Sequence, residues 1–274
     1  MTDPLLRIAQ ALERIAPPPA LPADLHAHPA YVWNGRALAA ARAFAPVPVE
    51  RLSGIDAQRD AVLTNLRRLA AGAAAQDVLL WGARGTGKSA LVKAGVEAVQ
   101  REGGALALVE ASGDALGSLP ALFALLAPAA RAFAVFLDDL GFDEPGEARA
   151  LRSLLEGGAE ARPGNVRLIV TANRRHLLPR DMAEQGAAAA AGAINPRDAI
   201  DDQLALADRF GLSLGFHALD QDGYLGIVRG YADALDLPFD AADAVQWATR
   251  RGSRSGRVAW QYVTELAGRA GRAV

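Results

Sequence analysis

Apolar residues along this chain fall into two alternating kinds of run. Short, nearly continuous apolar stretches occur at 77–81, 105–110, 132–137, 166–171 and 212–217, each of strand length and each bounded by turn residues or by helical spacing. Between them, apolar positions recur at helical intervals over 54–70, 87–101, 116–127 and 146–156. Strands that alternate with helices predict an α/β fold with a five-stranded parallel sheet covered on both faces, because crossover helices must pack on the sheet. After residue 217 no strand pattern returns. Residues 222–235, 240–250 and 256–270 read as helices, which predicts a small C-terminal helical domain. At the other end, Leu5, Leu6, Ile8, Leu12 and Ile15 share a helical face that Pro17–Pro19 terminates. Residues 20–50 are rich in Pro and Ala, with a helix predicted over 35–44. The expected division is an N-terminal helical extension (1–48), an α/β core (49–217) and a helical lid (218–274).

Composition narrows the class. The 274 residues are 51% hydrophobic and 22% charged, as expected of a folded chain long enough to bury a substantial core. The net charge of −2 does not favour constitutive tight binding to nucleic acid, which usually requires a basic surface. With no cysteine, disulfides and cysteine–zinc sites are excluded. The segment MTDPLLRIAQ lacks the apolar run of a secretory signal. The longest nearly apolar stretch, Leu119 to Leu137, is interrupted by Pro120, Pro128 and Arg131, so no membrane span is expected and a cytoplasmic location is. His26 and His28 lie in a Pro-rich loop with nothing nearby to complete a metal site. Trp33, Trp81, Trp247 and Trp260 read as packing residues.

One segment carries specific chemistry. Asp77–Ser89 reads DVLLWGARGTGKS, an apolar strand running into Gly82-x-x-x-x-Gly87-Lys88-Ser89 at the start of a helix. This is the phosphate-binding loop pattern in the context it requires. Glycines let the backbone turn so that successive amides face one phosphate, and the helix that starts there adds its positive end. Gly82, Ala83, Arg84, Gly85, Thr86, Gly87, Lys88, Ser89 and Ala90 are therefore the expected ATP-binding residues. Lys88 would serve the β and γ phosphates, and the Ser89 hydroxyl is a ligand suited to Mg²⁺. Only two lysines, Lys88 and Lys93, occur among 29 basic residues, and one stands where a compact point charge is needed.

The run Ala132–Leu140, AFAVFLDDL, ends an apolar strand in two acids. Asp138 is expected to hold Mg²⁺ and Asp139 to orient and activate the attacking water. Glutamate is usual at the second position, and Glu144 is the nearest acid able to assist. The strand Val166–Thr171 leads to Asn173, whose side chain could reach the γ-phosphate or the water. Arg174, Arg175 and His176 read as a basic turn, and the alanine run 187–191 carries no chemistry.

Together these residues resemble the AAA+ ATPases, and more closely a family of bacterial AAA+ ATPases of unassigned function that carries strings such as GARGTGKS, LEGG, TANRRHL, DRFGL and WATRRGSRSGR. The resemblance spans roughly residues 50–270. It implies that Asn173 is sensor 1 and that Arg209, in Asp208-Arg209-Phe210-Gly211, is an arginine finger acting on a neighbouring subunit. The active form would then be a homo-oligomer, typically a ring of six. It also implies that Arg254, or Arg257 one turn on, is the sensor 2 cation from the helical lid. Leu52–Asp56, including Gly54 and Ile55, would cover adenine, with Tyr224 and Ile227 closing the other side. Three functions fit: an ATPase that remodels or switches an unknown protein partner, a nucleotide-gated binding module with little turnover, or a loader associated with DNA.

Overall fold

The computed structural model describes residue 7 and residues 23–141, 145–156, 162–173 and 207–273. Apart from Arg7, the expected helix over 3–15 lies outside the described residues, as do Glu144, Arg174, Arg175, His176 and the alanine run. The strands are β1 (Ala30–Trp33), β2 (Leu38–Ala40), β3 (Val78–Gly82), β4 (Leu106–Ala111), β5 (Ala132–Leu140), β6 (Val166–Asn173) and β7 (Leu212–Phe216). The helices are α1 (Asp56–Ala70), α2 (Lys88–Arg101), α3 (Leu119–Leu126), α4 (Pro145–Glu156), α5 (Gln221–Ala234), α6 (Ala241–Arg250) and α7 (Gly256–Arg269).

All seven strands form one sheet in the order β2-β1-β4-β5-β6-β3-β7. Its five expected strands run parallel, β3 lying between β6 and β7. Alternate residues serve opposite faces. On β5, Phe133, Val135 and Leu137 enter one core with α3 and α4 residues such as Leu122 and Leu151, whereas Ala134 and Phe136 enter a second with Leu66 of α1 and Leu91 of α2. From Ala132 to Leu137, β5 is buried on both faces and holds no polar residue, which is why that stretch reads as an unbroken apolar run.

The sheet is wider than expected. Two further strands come from the N-terminal region, β1 parallel to β4 and β2 antiparallel to β1, and the helix expected over 35–44 is absent: β2 stands in its place. The physical reason is tertiary. β4 offers an open ladder, and pairing there buries Tyr31 and Trp33 at 0% and 4% exposure, which outweighs the local helical tendency of alanine. The turn signal was present in Asn34-Gly35, whose Asn34 Oδ1 accepts from the Arg36 and Ala37 amides at 3.0 and 2.8 Å. Arg131 ties down the preceding loop. Its guanidinium donates to the carbonyls of Leu25, His28 and Leu106 at 3.2, 2.8 and 2.7 Å.

Helices α5–α7 have a core of their own, built on Tyr224, Val228, Ala244, Ala259, Tyr262 and Val263. Each has an N-cap side chain. Asp220 and Asp240 accept from the amides of Gly223 and Asp243, both at 2.8 Å, and Ser255 accepts from Val258 at 3.3 Å. Val47 packs against both this core and the α1–α2 core, so the segment before α1 lies between bundle and sheet. Among the described residues no helix is long and apolar enough to cross a membrane.

Candidate functional site

The phosphate loop sits at the carboxyl end of β3, the central strand of the switch in sheet order, where open parallel sheets bind ligands. Gly82 takes φ +134°, and a Cβ there would lie 2.0 Å from the Phe216 carbonyl oxygen on β7. That same oxygen accepts from the Ala83 amide at 3.1 Å, so the turn is stitched to the neighbouring strand. Gly87, at φ +97°, reverses the chain into α2, and Thr86 Oγ1 donates to the Ala83 carbonyl at 2.8 Å.

Lys88 is only 8% exposed. Its Nζ donates to the carbonyls of Gly82 and Ala83 at 2.9 and 2.7 Å, folding back over its own loop. Burial pulls its pKa below the ordinary lysine value. The carboxylates of Asp139 and Asp138 oppose that shift, and Arg84 adds to it. An ammonium short of solvation and facing the cavity is suited to a polyanion.

The two acids stand at a break in the sheet. Leu137 pairs with Val170 and Leu140 with Ala172, so Asp138 and Asp139 together oppose Thr171 alone. This β-bulge has a chemical result. Neighbouring residues of a regular strand face opposite sides, but here both carboxylates remain exposed at one edge while Leu137 and Leu140 return to the same core. Asp139 takes φ +53°, a left-handed conformation that aspartate tolerates better than most residues. Asp138 Oδ1 accepts from Ser89 Oγ and from Thr171 Oγ1, both at 2.6 Å. Asp139 Oδ1 accepts from Asn173 Nδ2, and its Oδ2 lies 3.4 Å from Arg84 Nη2. Ser89 Oγ and Asp138 Oδ1 are hard oxygen donors 2.6 Å apart in the cavity that Lys88 also lines, a donor set that fits Mg²⁺.

These groups line one side of a cavity of about 510 Å³, a size suited to a small-molecule ligand. The opposite side is Val47, Arg51, Leu52, Ser53 and Ile55 from the segment before α1, with Ile227, Tyr231, Arg257 and Trp260 from the bundle. The structure thus brings together most of the expected residues: Ile55, Arg84 to Ala90, Asp138, Asp139, Asn173, Ile227 and Arg257. Gly82 and Ala83 shape the loop from beneath, and Gly54 turns the chain against Leu219; none of the three lines the cavity.

Three expected residues lie elsewhere. Tyr224 is fully buried within the bundle, donating to the Ala244 carbonyl at 3.2 Å, and burial pushes its pKa up to about 12. Tyr231, two turns later, lines the cavity in its place. Arg254 is exposed beyond the cavity, while Arg257 lines it. Arg209 does not line the cavity of its own chain. It donates through Nε to Glu156 Oε1 at 2.8 Å at the end of α4.

Val47, Arg51, Thr171, Tyr231 and Trp260 were not anticipated. Two of them carried a signal: Tyr231 follows Ile227 by four residues and Trp260 follows Arg257 by three, spacings that share a helix face.

A central parallel sheet, a glycine-rich loop after β3, an acidic pair near the end of β5, an asparagine at the end of β6 and a helical bundle beside the cavity define the fold class: an α/β P-loop fold of the AAA+ type. Comparison with solved structures agrees. A single-residue variant of RuvB from Thermotoga maritima is similar with a TM-score of 0.53 and 16% identity, over 83% of this chain and 67% of that one. The Orc1 protein of Aeropyrum pernix, solved in complex with DNA, is similar with a TM-score of 0.50 and 16% identity, over 83% of this chain and 66% of that one. The chain therefore spans about two thirds of the length of those proteins. No curated protein matches it. The model of the family described as "Protein of unknown function (DUF815)" matches residues 26–270, and the chain belongs to that family.

Proposed function

We propose that this chain binds ATP with Mg²⁺ in the 510 Å³ cavity and hydrolyses it, the nucleotide state setting the angle of the α5–α7 bundle against the sheet and so acting on a protein partner. The supporting observation is the convergence of Lys88, Ser89, Asp138, Asp139 and Asn173 on one cavity whose other side is the bundle. In this reading the core (49–217) carries the chemistry and residues 218–274 act as a lid. Lys88 exchanges its two carbonyl partners for phosphate oxygens. Ser89 and Asp138 would hold Mg²⁺, which would supply positive charge to the phosphates when bound. Asn173 orients the attacking water and Asp139 takes its proton as the bond to the β–γ bridging oxygen breaks, releasing ADP and phosphate. Ile55 and Leu52 pack one side of the base, with Ile227, Tyr231 and Trp260 on the other.

Calorimetric titration tests this directly. Wild type binds ATP with Mg²⁺, and Arg257→Ala weakens that binding about tenfold, or ~1.4 kcal/mol, while Arg254→Ala changes it about twofold at most. The reverse order would assign the sensor role to Arg254. A wild-type chain without affinity for adenine nucleotides would sink the whole reading.

Arg209 stands at the outer surface, away from its own cavity, which supports an arginine finger acting in trans. Light scattering with a slowly hydrolysed ATP analogue should show a larger particle than without nucleotide. Arg209→Ala should lower turnover roughly tenfold or more while leaving ATP binding intact. Turnover per chain that is independent of protein concentration, and untouched by the substitution, speaks against it.

One observation favours a second reading, a nucleotide-gated module with little turnover. Asp139 is one methylene shorter than the usual glutamate, and both its oxygens already face donors, Asn173 and Arg84. Steady turnover of roughly several per minute or faster, above the about 10⁻² per second or less of nucleotide switches acting unassisted, decides for hydrolysis.

A further inference from the structure

The acidic pair owes its placement to a residue that no motif marks. At the bulge in β5 two residues face one, and regular pairing leaves an amide without a ladder partner. The unpaired group here is the Asp139 N–H, and it donates to Thr171 Oγ1 at 2.7 Å. The same hydroxyl gives its own proton to Asp138 Oδ1 at 2.6 Å. Thr171 is 1% exposed and lies on β6, whose pairing with β5 and with β3 on its other side fixes its backbone. A single buried hydroxyl thus joins the backbone of one acid to the side chain of the other, both its donor and its acceptor capacity used. Ser89 also approaches Asp138 Oδ1, but from α2, and is itself a candidate metal ligand. Thr171 is the donor left to hold that carboxylate in place.

We propose that Thr171 is a positioning residue for both acids: its hydroxyl closes the bulge, holds Asp139 in its left-handed turn toward the water position, and fixes the Asp138 carboxylate for Mg²⁺. This rests on the reading of the cavity as an ATP–Mg²⁺ site. The bland alternative is that threonine fills space in a strand, a role its β-branched shape suits. Valine has that shape without the hydroxyl, and serine has the hydroxyl without the second methyl. The pair separates the two explanations.

The experiment uses the full chain as wild type, Thr171→Val and Thr171→Ser. Mn²⁺ binding is followed by electron paramagnetic resonance with a slowly hydrolysed ATP analogue present, beside metal-free analogue binding, turnover and thermal midpoint. For Thr171→Val the Mn²⁺ half-saturation rises about tenfold or more and kcat falls comparably, as for other groups that orient a metal ligand, whereas metal-free analogue binding stays within about twofold. Thr171→Ser restores both to within roughly threefold of wild type. A Thr171→Val protein that matches wild type in Mn²⁺ binding and kcat overturns the inference, as does a serine variant no better than valine. If wild type fails to bind the analogue with or without metal, the ATP reading itself falls. Normal wild-type binding with an indifferent Thr171→Val removes only the role of Thr171.

Discussion

Alanine at position 88 is expected to remove most of the proposed adenine-nucleotide affinity and to lower turnover by about 100-fold or more, the scale seen when a single charge-stabilising donor is deleted. Lys88 is the buried cation on the cavity floor, and it faces two carboxylates, Asp138 and Asp139. Without it a triphosphate meets that negative pair with only the exposed arginines Arg51, Arg84 and Arg257 along the described cavity lining. Arginine does not rescue. The position is 8% exposed and shaped for a compact ammonium, not a planar fork. The fold survives, because the substitution strips donors from the Gly82 and Ala83 carbonyls but also removes a desolvated charge. The sign of the pH effect follows. Burial lowers the Lys88 pKa in the folded protein, so the folded state holds this proton less tightly than the unfolded chain. That cost is fully present below the folded pKa and fades as pH rises toward the ordinary value of 10.5. The melting temperature of wild type relative to Lys88→Ala should accordingly rise over that alkaline interval. Turnover by Lys88→Ala within about tenfold of wild type would falsify the site assignment.

Gly82→Ala is expected to destabilise the protein by on the order of 4 kcal/mol, the range reserved for named structural failures. A Cβ there meets the Phe216 carbonyl oxygen at 2.0 Å, with the Phe216 amide nitrogen at 2.9 Å. No rotamer relieves a clash with backbone. β3 and β7 would have to separate, breaking the Ala83–Phe216 hydrogen bond that shapes the loop. Gly72→Ala is the control. Its φ is also positive, at +69°, but nothing lies within 4 Å of the added methyl, so it isolates the conformational cost. That cost is roughly 1–2 kcal/mol. Denaturant titration of both variants checks the difference. Equal losses would mean that strain, not steric collision with β7, explains the glycine.

Much of the core was legible because each of its signals is local. A strand buried on both faces shows an unbroken apolar run, as Ala132–Leu137 does, and a phosphate loop is a contiguous string. What escaped depends on distant partners. Asn34-Gly35 announced a hairpin, but only the open edge of β4 gave it somewhere to pair. Asp138 and Asp139 were visible as acids, whereas the bulge that turns both to one edge requires Thr171, more than thirty residues on. Tyr224 and Tyr231 share helix α5 and chemical character. The docking of that helix sends one into the bundle core and the other to the cavity.

The linear order of residues sufficed for the alternating elements and for placing Gly82–Ser89, Asp138, Asp139 and Asn173 at the ends of strands, since hydrophobic period and turn chemistry act between near neighbours in the chain. Three-dimensional packing alone decided the two added strands, the choice of Arg257 over Arg254 as a cavity residue, and the place of Arg209 beside Glu156. Which way a helix rotates when it docks, and which sheet edge is left open, follow from the burial summed over the whole core, a quantity no short window of sequence contains.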